Sequence, residues 1–198
     1  TSGCSDSRER RLRAAEEKAA ACMMRVFYGL ELDGATALHI ANWRERQLAC
    51  AGTPVPPANF HITLAFLGAL DEAAIERLCL SVDGWLAQTS LPGGALQLDT
   101  TGYWAKPGIF WLGPLSWPEQ LTRLAQKLNS LGSAAGAKRD RNPFQPHITL
   151  YRQCSTPPPA PALAPSITMR YTGFALFVSR QGKRGVSYHV LQDWDLQR

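Results

Sequence analysis

The tetrapeptide His-Ile-Thr-Leu occurs twice in this 198-residue chain, at His61–Leu64 and at His147–Leu150. Each copy sets a His and a Thr two residues apart. On a β-strand, residues i and i+2 share a face. His61 with Thr63, and His147 with Thr149, therefore each present an imidazole beside a hydroxyl, while the Ile and Leu turn to a core. Two such strands facing each other make a pocket with two titratable rings and two hydroxyl donors. Imidazoles titrate near neutrality, so one can serve as general base and the other as general acid. Threonine hydroxyls can donate to the non-bridging oxygens of a phosphate or to another oxyanion. The set suits phosphodiester cleavage with neither metal nor cofactor. Zinc would need three or four ligands, and neither motif has a Cys, an Asp or a third His beside it. No Gly-x-Ser-x-Gly is present, and no Cys adjoins a motif, so a Ser or Cys hydrolase is not indicated. A single strand histidine is more often structural. It is the recurrence of a four-residue identity that points to chemistry.

The elements that must position these residues follow from pattern. Residues 25–32, rich in β-branched and aromatic side chains and closed by Asp33-Gly34, read as a strand. A helix from Ala35 to about Ala49 follows, with Leu38, Trp43 and Leu48 inward, then a loop over 52–57. The first motif strand runs from Phe60 to Leu67, ended by Gly68. Asp71 is the N-cap of a helix to about Ala87 with Ile75, Leu78 and Val82 on one face. Ala95–Trp104 and Gly108–Leu112 read as a hairpin, and Pro118 starts a helix to about Leu131 with Leu121, Leu124 and Leu128 inward. A polar, basic loop over 132–144 leads to the second motif strand, Pro146–Arg152. After a stiff proline-rich connector at 157–161, Ile167–Ser179 and Val186–Asp193 close the chain as a hairpin with a basic tip. The two motifs stand 86 residues apart, and each half alternates strand, helix and motif strand. The fold expected is α+β: two pseudo-symmetric lobes, each an antiparallel sheet backed by helices, with the motif strands on a central cleft.

Length and a 45% hydrophobic content suit one domain, taken as residues 23–198. Residues 1–22 are rich in helix formers with little to bury, and are read as an extension. No apolar run reaches the roughly 18 residues of a membrane span, and no signal peptide is read at the start. Five scattered cysteines without a Cys-x-x-Cys suggest free thiols in a reducing cytoplasm. Net charge is +5, but from Ala137 onward nine basic residues face three acidic ones, which suits an anionic partner such as nucleic acid. Lys138, Arg139, Arg141, Lys183 and Arg184 lie in loops and can steer an RNA backbone. Phe27, Tyr28, Trp104 and Tyr151 can offer stacking faces for a base, with core packing as the alternative for each. Arg152 lies five residues past His147, on the opposite face of an ideal strand, and reaches the cleft only if the strand ends or twists there. His39 and His189 are read as surface residues.

The paired motifs resemble the 2H phosphoesterase superfamily. The resemblance extends to Arg25-Val-Phe-Tyr-Gly-Leu, Asn59-Phe-His-Ile-Thr-Leu-Ala-Phe-Leu-Gly68, Trp104 with Phe110-Trp-Leu-Gly113, Asn142-Pro-Phe-Gln-Pro-His-Ile-Thr-Leu-Tyr-Arg152, and the ending with Tyr188 and Trp194. These look like the bacterial RNA 2′,3′-cyclic phosphodiesterase branch, also called 2′-5′ RNA ligases. The resemblance implies hydrolysis of an RNA 2′,3′-cyclic phosphate end, on tRNA halves or oligoribonucleotides, to a 2′-phosphomonoester, and a reversible 2′-5′ joining reaction. It implies His61 as proton donor, His147 as proton acceptor, Thr63 and Thr149 as phosphate ligands, no metal, and a monomer. The motif alone is symmetric and does not say which His does which. A small cyclic nucleotide, an ADP-ribose cyclic phosphate, or a non-catalytic module gripping RNA ends stay open as alternatives.

Overall fold

A computed structural model describes residues 23–183 and 185–197. The extension read over residues 1–22 and the basic residue Arg184 lie outside the described residues. The chain opens with β1 (Met24–Glu31) and α1 (Gly34–Gln47), and a short β2 (Thr53–Pro54) precedes β3 (His61–Leu70). Next come α2 (Glu72–Leu86), β4 (Gly94–Leu98), β5 (Thr100–Trp104) and β6 (Ile109–Gly113). Then α3 (Glu119–Ala134) leads to β7 (Ile148–Arg152), β8 (Ile167–Tyr171), β9 (Gly173–Gly182) and β10 (Gly185–Asp195). The strands form antiparallel sheets in the orders β10-β9-β1-β3 and β2-β7-β6-β5, with β4 and β8 as a separate pair. The class is α+β, as the pattern implied.

The internal repeat is visible in the connectivity. β1, α1 and β3 form a strand, a helix and an antiparallel neighbour, and β6, α3 and β7 do the same. Helices are shared between the sheets: α3 from the second half lies on β3, where a Cβ at Gly132 would overlap the Leu67 side chain. Asp33 and Asp71 cap α1 and α2 by accepting from the backbone N–H three residues on, at 2.8 and 2.7 Å. One apolar core unites both sheets and all three helices, including Leu30, Ile62, Leu64, Leu78, Leu128, Ile148 and Leu150.

Several local expectations are corrected. Of the three residues expected inward around α1, Leu48 is buried and Trp43 packs against the core, but Leu38 is 59% exposed; α1 itself buries Ile40, Ala41 and Arg44. Gly68, at φ 75°, does not end the motif strand but sits inside it at an irregularity opposite Val26. The expected strand over Ala95–Trp104 breaks at Asp99, whose side chain accepts from Leu115 N–H at 2.8 Å, and β4 pairs with β8 while β5 pairs with β6. The expected strand over Ile167–Ser179 likewise splits, because β8 joins β4 and β9 joins β1 and β10. Both breaks fall inside continuous runs of strand-forming residues, so the sequence alone could not show that the partners change.

Candidate functional site

Between the two larger sheets lies an open cavity of about 1360 Å³, lined by His61, Thr63, His147, Thr149 and Arg152 together. The two motif strands thus meet across one cleft, as the repeat suggested. Each histidine is held the same way. His61 Nδ1 donates to Asn59 O at 2.7 Å and His147 Nδ1 donates to Gln145 O at 2.8 Å, each carbonyl two residues upstream. A carbonyl can only accept, so Nδ1 carries the proton in both rings and the neutral Nε2 keeps its lone pair. His61 Nε2 lies 3.1 Å from Thr63 Oγ1, whose hydroxyl can donate to it.

Each ring also stands against aromatic walls. Tyr188 meets His61 edge-on at 4.9 Å with Phe27 at 4.8 Å, and Trp104 meets His147 edge-on at 4.6 Å with Trp111 at 6.2 Å. This burial is the chief reason both rings hold protons less tightly than free imidazole. His61 is pushed down to about 4, against a partial rise from its bond to Asn59 O, with the Arg152 and His147 charges adding to the fall. His147 is lowered for the same reason, with Arg152 contributing. Both are neutral at pH 7, and a phosphate charge in the cleft would favour the imidazolium that burial disfavours.

The position of Arg152 has a specific cause. On β7, Thr149 pairs with Trp111 but Tyr151 pairs with Phe110, so Leu150 is an extra residue in the ladder. A bulge of this kind inverts the alternation beyond it. Leu150 and Tyr151 are consecutively buried, and Arg152 returns to the cleft side with His147 and Thr149. The odd spacing read from the sequence is thereby reversed. Tyr151, expected as a possible stacking face, is turned away: it is 8% exposed, absent from the cavity wall, and 5.3 Å from the Arg44 guanidinium. The same device operates on β3, where Thr63 pairs with Gly29 but Ala65 pairs with Tyr28. Leu64 and Ala65 are consecutively buried, and Phe66 is turned into the cavity at 55% exposure. Phe66 is thus the counterpart of Arg152, and the repeated spacing from each His could have singled it out.

The other expected residues divide. Phe27 lines the cavity, buried beneath His61 and stacked on Phe177 at 5.1 Å. Trp104 lines it too. Tyr28 is fully buried on the opposite face, because it alternates with Phe27. Arg139 and Arg141 line the cavity, whereas Lys138 and Lys183 lie outside its wall. Asn129 fixes that loop: its Nδ2 donates to Asp140 O at 2.8 Å and its Oδ1 accepts from Asp140 N–H at 3.2 Å, with an arginine on each side of Asp140. His39 and His189 are exposed, as expected. Arg25 and Lys106, not anticipated from sequence, add two more cations to the wall.

Arg44 was also missed. It is 5% exposed and lies between the Phe60 and Tyr151 rings at 5.4 and 5.3 Å. Its Nη1 donates to Val55 O and to Leu150 O, the bulge residue, at 2.6 and 3.2 Å. It therefore braces both motif strands from behind, touching the residue before His61 and the residue after Thr149. Nothing in a helical Arg flanked by Trp43 and Glu45 signals burial. Gly102 has a comparable supporting place: a Cβ there would overlap the Trp111 ring, which lies across β5 and walls His147.

Comparisons with known proteins agree with this geometry. The family model described as the 2′-5′ RNA ligase superfamily matches residues 32–182. The chain is 33% identical over 173 residues to the Escherichia coli protein named RNA 2′,3′-cyclic phosphodiesterase, covering 87% of this chain and 96% of that one. A Thermus thermophilus protein of the same name is 30% identical over 186 residues, 88% of this chain and 91% of that one. Among solved structures, one described as a phosphoesterase superposes with a TM-score of 0.80 at 31% identity, over 89% of this chain and 99% of that one. E. coli LigT complexed with 3′-AMP superposes with a TM-score of 0.77 at 32% identity, over the same shares. The chain belongs to the 2′-5′ RNA ligase superfamily.

Proposed function

We propose that this protein is an RNA 2′,3′-cyclic phosphodiesterase that opens a terminal cyclic phosphate to a 2′-phosphomonoester without metal. The observation that carries this is the pair of His/Thr strands facing one cavity, each ring held through Nδ1 with Nε2 unprotonated. His147 Nε2 takes a proton from water as its oxygen bonds to phosphorus. The bond from phosphorus to the 3′ oxygen breaks, and protonated His61 gives its proton to that oxygen. Thr63, Thr149 and Arg152 hold the non-bridging oxygens. The donor role of His61 rests on the family resemblance, and it requires the substrate anion to raise the proton affinity that burial has lowered. With a 5′-hydroxyl in place of water as the nucleophile, the same groups join ends in a 2′-5′ linkage. Cations at Arg25, Lys106, Arg139 and Arg141 suit an RNA chain, such as a tRNA half or another oligoribonucleotide, better than a mononucleotide. The site is complete within one chain, which suits a monomer, and free thiols at Cys50, Cys79 and Cys154 suit a reducing cytoplasm.

The test is incubation with a 2′,3′-cyclic phosphate oligoribonucleotide and identification of the phosphomonoester formed. A 2′-phosphate is expected, undiminished by EDTA, and a 3′-phosphate or no turnover would overturn the proposal. His61→Ala and His147→Ala are expected to lose roughly 10²–10⁴-fold in rate. A substrate with sulfur in place of the 3′ leaving oxygen needs no proton donor. It should restore turnover to His61→Ala and not to His147→Ala. The opposite pattern reverses the two roles.

A further inference from the structure

Two cysteines stand together on the far side of β7 from the cavity. Cys50 Sγ lies 3.3 Å from Cys154 Sγ, although the residues are 104 apart in sequence. Both are free thiols. The pair is built into the fold by main-chain contacts on both sides. Cys50 sits in the connector between α1 and β2, where Gly52 N–H donates to its sulfur at 3.3 Å. Cys154 follows β7, with its N–H donating to Gly108 O at 2.9 Å and its carbonyl accepting from Tyr103 O–H at 2.9 Å. The close approach depends on Gly52: a Cβ there would lie 2.6 Å from both Cys154 Sγ and Arg152 O. Nothing in the phosphodiesterase chemistry uses either sulfur.

We propose that Cys50 and Cys154 form a site of reversible oxidative modification, closing to a disulfide when the protein meets a peroxide. A disulfide needs sulfurs about 2.05 Å apart, so closure requires only a small movement, which the short connector around Cys50 can supply. Cys50 is the more exposed of the two, and Cys154 is 5% exposed. Burial, with the neighbouring Cys50 thiol, pushes Cys154 up to about 11. Cys50 is therefore the sulfur that meets the oxidant. It attacks the peroxide O–O bond, becoming a sulfenic acid and releasing one water. The Cys154 sulfur then displaces hydroxide from that sulfenic acid, its proton leaving with the second water. Two electrons and two protons pass from the thiols to the peroxide, and one S–S bond forms.

The placement gives the cross-link a consequence. His61 and His147 both lie between Cys50 and Cys154 in sequence, so the disulfide closes a covalent loop that contains both motif strands. Long loops restrict the unfolded chain most. The oxidised protein should resist heat better than the reduced one while its cleft, on the other side of β7, keeps its shape.

The experiment oxidises the full chain with a modest excess of hydrogen peroxide, blocks remaining thiols by alkylation, and maps the linked peptides by mass spectrometry. Melting is followed in parallel, before and after dithiothreitol. The expected result is a peptide pair joining Cys50 to Cys154 and a Tm raised by roughly 5–15 °C, returning to the reduced value with dithiothreitol. Cys50→Ser and Cys50→Ala should show neither the link nor the shift. Disulfides joining other cysteines, a Cys50 that stops at a sulfenic or sulfinic acid, or a linked protein whose Tm does not rise would each overturn the proposal. The wild-type measurement stands by itself if either variant proves unstable.

Discussion

Phe66 and Arg152 occupy equivalent places in the two halves of the molecule: each lies five residues past a motif histidine and is turned into the cleft by a bulge directly after the motif threonine. The repeat therefore makes the cleft symmetric in its histidines and threonines but asymmetric one step further out. One wall offers an exposed aromatic face and the other a guanidinium. A nucleotide is asymmetric in the same sense, with a flat apolar base at one end and an anionic phosphate at the other.

This asymmetry predicts different kinetic signatures for the two residues. Phe66→Ala should raise KM roughly 5- to 100-fold, the range expected for loss of one base–aromatic stack, with kcat nearly kept. Phe66→Trp should restore KM. Arg152→Gln should lower kcat/KM by about 10- to 100-fold, the size of a lost charge-assisted hydrogen bond. Steady-state kinetics on one cyclic-phosphate oligonucleotide separates these outcomes, and matching effects of the two substitutions would count against the division of labour.

Arg44 should matter to stability and activity together. Its removal takes the Arg44 donor from Val55 O and one of two donors from Leu150 O, which keeps Val55 N–H at 2.9 Å. Arg44→Met is expected to cost about 2–4 kcal/mol in urea unfolding. At temperatures where the variant stays folded, kcat should still fall, because the bulge at Leu150 loses its brace. A folded Arg44→Met protein with full turnover would confine Arg44 to a packing role.

Gly102→Ala tests the wall behind His147. The added methyl must displace the Trp111 ring, which lies 6.2 Å from the His147 ring and has a buried Nε1 without a partner. We expect kcat to fall about 10- to 100-fold, as for other ångström-scale misplacements, with an unchanged far-UV circular dichroism spectrum. Gly29 on β1, opposite Thr63, offers a contrast: a Cβ there would meet Ile62 O at 3.1 Å and the Phe177 ring at 3.2 Å, so Gly29→Ala should be the milder change.

The pH dependence of stability follows from the buried histidines. His61 falls from an ordinary 6.5 to about 4 in the folded protein, chiefly by burial, and His147 is lowered from 6.5 in the same direction. Between about pH 6.5 and 4 the unfolded chain therefore binds more protons than the folded one. Stability is fully present above this window and declines as the pH drops through it. Thermal melts across the window should show Tm falling with acidification, and His61→Asn should flatten that fall. Added inorganic phosphate should flatten it too, since an anion between the rings favours the charged form. A variant with the wild-type slope would show that His61 does not titrate as described.

Much of the site was legible before any fold was known. The tetrapeptide contains its own geometry, because alternation on a strand joins His to Thr with no help from the rest of the chain. The cap at Asp71 and the inward stripes of α2 and α3 are equally local, since they act within one turn of the helix; the like cap at Asp33, read only as the end of a strand, came with the structure. What needed the tertiary structure was every feature set by a partner strand. The bulges at Leu64 and Leu150 exist because β3 and β7 pair with β1 and β6 in a register that omits one residue. That register, invisible in the motif strands themselves, put Phe66 and Arg152 in the cleft and sent Tyr151 to the core. The burial of Arg44 depends on two carbonyls 11 and 106 residues away. Likewise, only chain folding decided that Arg139 and Arg141 reach the cleft and Lys138 and Lys183 do not, because charge records what a loop carries and not where its backbone is tied. The sequence alone determined the two His/Thr pairs, whose pairing is short-range. The tertiary structure determined their surroundings, which come from segments far apart in the chain.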